Sequence, residues 1–182
     1  MPKTALPVTV IRPGMVYGPE ANFWTKTFYD VFSRIPIPLI GESKGTAHPI
    51  YIDDVVDLMV TQATHPNAVG QAFNCSADPA PTWIEFVGYY ARMAGNTQTI
   101  KLPEELLITL APIITALSGI TGEPVNVSGF LHYATHPVVF SMKRAANLLD
   151  WRPRVGLEEG MKRAEHWLHS LADAATTPAL PA

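Results

Sequence analysis

The chain has 182 residues, 47% hydrophobic and only 16% charged, enough apolar material for one core-rich domain. Its net charge of −3 and the scatter of its 13 Lys and Arg leave no basic footprint, which excludes nucleic acid as a partner. A single cysteine, Cys75, excludes a disulfide framework and fits a reducing, cytoplasmic setting.

Met1-Pro2-Lys3 opens the chain without a signal-peptide pattern. The β-branched run Val8–Ile11 reads as a buried strand that breaks at Pro13-Gly14 into a loop carrying Met15, Val16, Tyr17, Gly18 and Pro19. Residues 23–35 have helical spacing, with Trp24, Phe28, Val31 and Phe32 on one side. Ile37–Ile40 is a short strand stopped by Gly41. Pro49–Ile52 is another, and Asp53 caps the helix after it, whose stripe Val55, Val56, Met59, Val60 and Ala63 should face inward. Ala72–Cys75 is a third strand.

Thr82-Trp83-Ile84-Glu85 is a capping box, the sharpest local signal in the chain. Its helix should bury Trp83, Phe86, Val87, Tyr90 and Ala94 and stop at Gly95. A second helical stretch, Leu102–Ser118, should kink or split at Pro112. Its apolar part, Leu106–Ile120, is shorter than the roughly 20 residues of a membrane span and reads as a buried or lid helix; peripheral membrane contact is the alternative. Residues 127–134 read as helical, 138–140 as extended, and Ser141 as the cap of a helix ending at Leu149. Leu157, Met161, Ala164, Leu168 and Leu171 stripe the last helix, and the tail from Ala174 should fray. His132 and His136 stand four apart, but Pro137 follows at once and no third ligand is evident, so no metal site is expected.

Strands alternating with helices argue an α/β layered fold. Only three strands look able to join a sheet of any size. The chain therefore reads as part of a doubly wound fold.

Four blocks, in order, carry a resemblance. "VTVIRPGMVYGP" resembles the segment just after the catalytic helix of extended short-chain dehydrogenases/reductases, the NAD-dependent epimerase/dehydratase superfamily. "HPIYIDDVVDLMV", "GQAFNCSADPAPTWIEFVGYYARMAG" and "FSMKRAANLLDWRPRVGLEEGMKRAEHWL" resemble its later strand, helix and C-terminal signature. The resemblance implies the C-terminal portion of a Rossmann-like doubly wound sheet plus a small, mostly helical substrate-binding lobe, spanning residues 1–173. It is closest in feel to the 3β-hydroxysteroid dehydrogenase and dihydroflavonol reductase branch. It also implies NAD or NADP as cofactor and a small-molecule substrate. Pro13, Gly14, Met15 and Val16 would then form the cofactor wall. Tyr17, Phe23, Trp24, Ile40 and His48 would face substrate.

Two family features do not occur in these 182 residues. No Gly-rich turn of the G-x-x-G-x-x-G type is present; Gly119 and Gly122 are three apart, but Val125 breaks the series. No tyrosine is followed four residues on by lysine, so no catalytic residue is assigned and the chain alone should be inactive. Nucleotide-sugar members usually place an Arg before the strand matching Pro49–Ile52, where a guanidinium meets the diphosphate. Here Ala47 stands in its place, and Tyr133-Ala134-Thr135-His136 replaces a second basic position. That tilts the expectation toward a less polar substrate, with a sugar the alternative. A non-catalytic ligand- or protein-binding module is the competing class. Either reading leaves a sheet edge unpaired, so self-association, including a homo-oligomer, is expected.

Overall fold

The computed structural model describes residues 6–121 and 127–176, which fall into two compact units. The first comprises residues 1–26, 48–79 and 140–182, the second residues 27–47 and 80–139. Met1–Lys3, Gly122, Val125 and the tail beyond Thr176 lie outside the described residues.

In the first unit, β1 (Val10–Pro13) pairs in parallel with β5 (Ala72–Cys75), and β2 (Met15–Tyr17) with β4 (Pro49–Tyr51). The expected loop after Pro13 is thus a second strand, separated from β1 by Gly14 alone. The first strand also begins at Val10 rather than Val8. Ile11, Phe73, Cys75 and Ile50 meet Val55 and Leu58 of α2 (Ile52–Thr64), Leu149 of α6 (Lys143–Leu149) and Trp151 in one apolar core. α7 (Leu157–Thr176) buries Met161, Ala164 and Leu168, whereas Leu171 at the end of the stripe is exposed. Ala174–Thr176, expected to fray, still belong to this helix.

α2 departs from its sequence pattern. Val56, Met59 and Val60 are half or more exposed, while the inward positions are Asp54, Val55, Leu58 and Gln62. Of the expected stripe only Val55 is buried, and Ala63 too is exposed; the two polar side chains that turn inward instead both have partners. The Asp54 carboxylate accepts the amides of Arg154 and Val155, and Thr9 Oγ1 lies 3.4 Å from Gln62 Oε1.

In the second unit, β3 (Ile37–Ile40) pairs in parallel with β6 (Thr99–Leu102). The pattern missed β6, whose side chains are mostly exposed and include Lys101. A six-residue π-helix, Asn22–Thr27, all but its last residue belonging to the first unit, precedes α1 (Phe28–Phe32) in the chain where one longer helix was expected. α3 (Trp83–Met93) opens on the capping box: Glu85 N donates to Thr82 Oγ1 at 3.2 Å, and Thr82 N donates to Glu85 Oε2 at 2.7 Å. Its Phe86 and Tyr90 form an aromatic cluster with Phe28. α4 (Glu104–Thr121) runs through Pro112 without dividing, and α5 (Val127–Thr135) packs on it. No helix among the described residues is long and apolar enough to cross a membrane.

Candidate functional site

The segment from Val10 to Tyr17 changes partner at Gly14. Gly14 N donates to Cys75 O (2.9 Å), at the end of β5, and Met15 N donates to His48 O (2.8 Å), just before β4. Ala77 N closes the joint onto Pro49 O (2.8 Å). A side chain at Gly14 would run into the His48 carbonyl oxygen. The glycine is therefore demanded by the crossing of two main chains. The joint lies at the carboxyl ends of β1 and β5, where open α/β sheets bind ligands. The second edge of β1 has no strand partner among the described residues.

The four expected cofactor residues differ in what they can offer. Pro13 is exposed, Val16 half-buried against the core, and Met15 buried. The amides of Gly14 and Met15 are already spent inside the protein. The ring of Pro13 and part of Val16 remain uncovered.

Tyr17 is only 2% exposed and meets Tyr51 edge-on at 5.6 Å, its hydroxyl packed where Gly160 has no side chain. It occupies the core of the first unit. Phe23, by contrast, is 59% exposed and meets Trp24 edge-on at 4.8 Å. Their π-helix is tied down by Thr25, which is fully buried and accepts the Gly18 amide at 3.0 Å. Single-turn π-helical segments recur at functional sites, where the extra residue re-aims side chains. His48 is buried, its ring 4.2 Å from that of Phe140. Ile40 belongs to the second unit, where it lines an apolar cleft of about 40 Å³ with Phe32, Pro38, Trp83, Ile84 and Val87.

The two stretches that lack the expected basic residues come together within the second unit. A side chain at Gly45 would collide with the main chain of Tyr133 and Ala134. Thr46 Oγ1 both donates to Val138 O (2.6 Å) and accepts Val138 N (2.9 Å), and Ala47 N donates to Pro81 O (2.8 Å). Ala47 is fully buried. The loop is pinned on all sides.

Sequence reasoning missed the polar clamp of the first unit. Asp54, 3% exposed, receives Arg154 N at 2.9 Å and Val155 N at 3.1 Å. Asp57 accepts the Trp151 indole N–H at 2.8 Å, and Arg163 bridges Asp53 (3.2 Å) and Glu159 (2.7 Å). "IDDVVD" and "WRPRVGLEEG" are thus two halves of one lock. The signal was present as three aspartates at helical spacing, but their partners lie about a hundred residues away. Burial raises the Tyr51 hydroxyl above its ordinary pKa, and the Arg163 guanidinium, 5.4 Å from the ring centre, pulls the other way. Burial, aided by Asp54, pushes the Cys75 thiol up to about 12, so it is an inert core residue.

No family model matches the chain. Its sequence is 28% identical over 162 residues to a UDP-glucose 4-epimerase of Vibrio cholerae, covering 88% of this chain and 46% of that protein. An epimerase structure from Methanothermobacter thermautotrophicus superposes with a TM-score of 0.65 at 19% identity, over 92% of this chain and 45% of that one. This is the fold of the extended short-chain dehydrogenases/reductases. A UDP-glucuronic acid 4-epimerase from Bacillus cereus, solved with UDP-glucuronic acid and NAD, shares it with a TM-score of 0.60 at 17% identity, over 91% and 46% of the two chains. The chain spans about half the length of the curated relatives it matches, the share consistent with a C-terminal portion of the extended short-chain dehydrogenase/reductase fold.

Proposed function

We propose that the chain is the substrate-side portion of an NAD-dependent epimerase or dehydrogenase acting at a hydroxyl-bearing carbon. The observation that supports this most is the Gly14 joint. It leaves Pro13 and Val16 as an apolar wall at the carboxyl ends of parallel strands, on a segment whose residues resemble the family's nicotinamide wall. NAD, when bound, would take the hydride. Pro13 and Val16 would hold the flat ring by contact, and His48 O would keep the Met15 amide away from it. The phosphate cradle and the proton-transfer pair would come from residues outside these 182.

For the substrate, buried Ala47 and the pinned Gly45–Ala47 loop offer no guanidinium to a diphosphate. Exposed Phe23, with Trp24 beside it, supplies aromatic surface. These features favour a largely apolar alcohol or ketone. The similarity to a UDP-glucose 4-epimerase supports a second reading, a sugar substrate.

The test is a chimera in which this chain replaces the matching part of the Vibrio cholerae enzyme. It should retain NAD and generate NADH from apolar secondary alcohols in preference to UDP-glucose. Preferential turnover of UDP-glucose would select the sugar reading. A folded chimera that retains NAD yet turns over neither would favour a non-catalytic module. The isolated 182-residue chain should show no NAD-dependent turnover, and activity from it alone would overturn the division of labour proposed here.

A further inference from the structure

A cleft of about 400 Å³ opens in the first unit, lined by Arg12, Ala72, Asn74, Ser141, Lys143 and Arg144. Its construction follows from strand register. Arg12 stands opposite Asn74 in the parallel β1–β5 pair. Alternation puts both on the face away from Ile11 and Phe73, which point into the core. Asn74 Nδ2 donates to Ser141 O at 3.2 Å and draws the approach to α6 onto the sheet. Ser141 Oγ in turn accepts Lys143 N at 3.3 Å, and Arg144 Nη1 lies 3.5 Å from Gln71 Oε1.

Three permanent cations therefore share one cleft that no carboxylate lines. Among the described residues none of the three is ion-paired, whereas Arg154 and Arg163 of the same unit face carboxylates. In a chain of net charge −3 this concentration of positive charge is unexpected. Two guanidinium groups, an ammonium and a side-chain amide match the tetrahedral, multiply charged oxygen shell of phosphate better than a single carboxylate.

We propose that this cleft is an anion site that takes the phosphate group of a small molecule. It does not rest on the catalytic reading above. Inorganic phosphate and a phosphate monoester share the chemistry, and the experiment separates them. The ¹⁵N-labelled 182-residue chain is titrated with inorganic phosphate, with AMP, and with sodium chloride at matched ionic strength. The Asn74 side-chain amide and Arg12 Nε signals should shift saturably with both phosphates and not with chloride. AMP binding more tightly would identify a phosphate ester as the better occupant; equal affinity would identify the phosphate alone. Arg12→Ala and Arg144→Ala should each weaken the response at least about tenfold. Lys162→Ala, outside the cleft, should leave it unchanged. Arg12→Lys, which keeps the charge and loses the planar fork, should weaken it by less and serves if Arg12→Ala misfolds. The site is overturned if no response saturates, if chloride reproduces it, if AMP saturates and inorganic phosphate does not, or if the arginine variants bind like the parent chain.

Discussion

The two units differ in what they add to apolar packing. The first has, beside its apolar core, a set of polar contacts between distant parts of the sequence. Asp54 holds the amides of residues 154 and 155, Asp57 the Trp151 indole, and Arg163 two carboxylates. The second packs around the cluster of Phe28, Phe86 and Tyr90, and its long-range polar bonds, at Thr46, Ala47 and Asn96, go to main-chain groups, while Leu106, Ile108 and Leu110 of α4 stay substantially exposed. Apolar contacts tolerate repacking.

The largest expected effect tests the second unit. Phe86→Ala should cost about 4 kcal/mol in denaturant unfolding, whereas Phe86→Leu should cost less than about 1.5 kcal/mol if repacking is tolerated. Asp54→Ala should cost about 3 kcal/mol, because two part-buried amides lose their carboxylate acceptor. Asp54→Asn should recover only part of that, since one of its two terminal atoms is a donor. A loss as small as that of Phe86→Leu would erase the contrast between the units. Gly14→Ala should cost about 2 kcal/mol by forcing the His48 carbonyl away. A neutral result would show that the joint can relax.

The smallest effect concerns the capping box. The Thr82 amide, then its hydroxyl, holds the Glu85 carboxyl below its ordinary value of 4.5. A lowered carboxylate stabilises the fold above the unfolded-state value and loses that contribution as pH falls through the folded one. Thr82→Ala should therefore cost about 1 kcal/mol at neutral pH. The difference should shrink on acidification below 4.5, read as converging melting temperatures. Glu85 is largely solvent-exposed, so the effect is modest. The Thr82 amide remains in this variant, so a gap that stays constant down to strong acid would show that the Thr82 hydroxyl adds nothing to the carboxylate.

The sequence alone determined what short-range interactions decide. Thr82 and Glu85 are three residues apart, and their reciprocal bonds need nothing from the rest of the chain. The strands 37–40, 49–51 and 72–75 were legible because dense β-branched or apolar runs ended at turn residues. Tertiary structure decided where partners come from beyond the helix or hairpin. Nothing near Gly14 announces that the His48 carbonyl will cross it, so an expected loop became β2. Nothing near Asp54 announces the amides a hundred residues on, so the apolar spacing of α2 pointed to the wrong face. Tyr17 was placed at the substrate side by the family resemblance, and here it packs against Tyr51 and Gly160 in the core of the first unit. A hydrophobic period records which residues can be buried, and buried hydrogen bonds made at long range select among them.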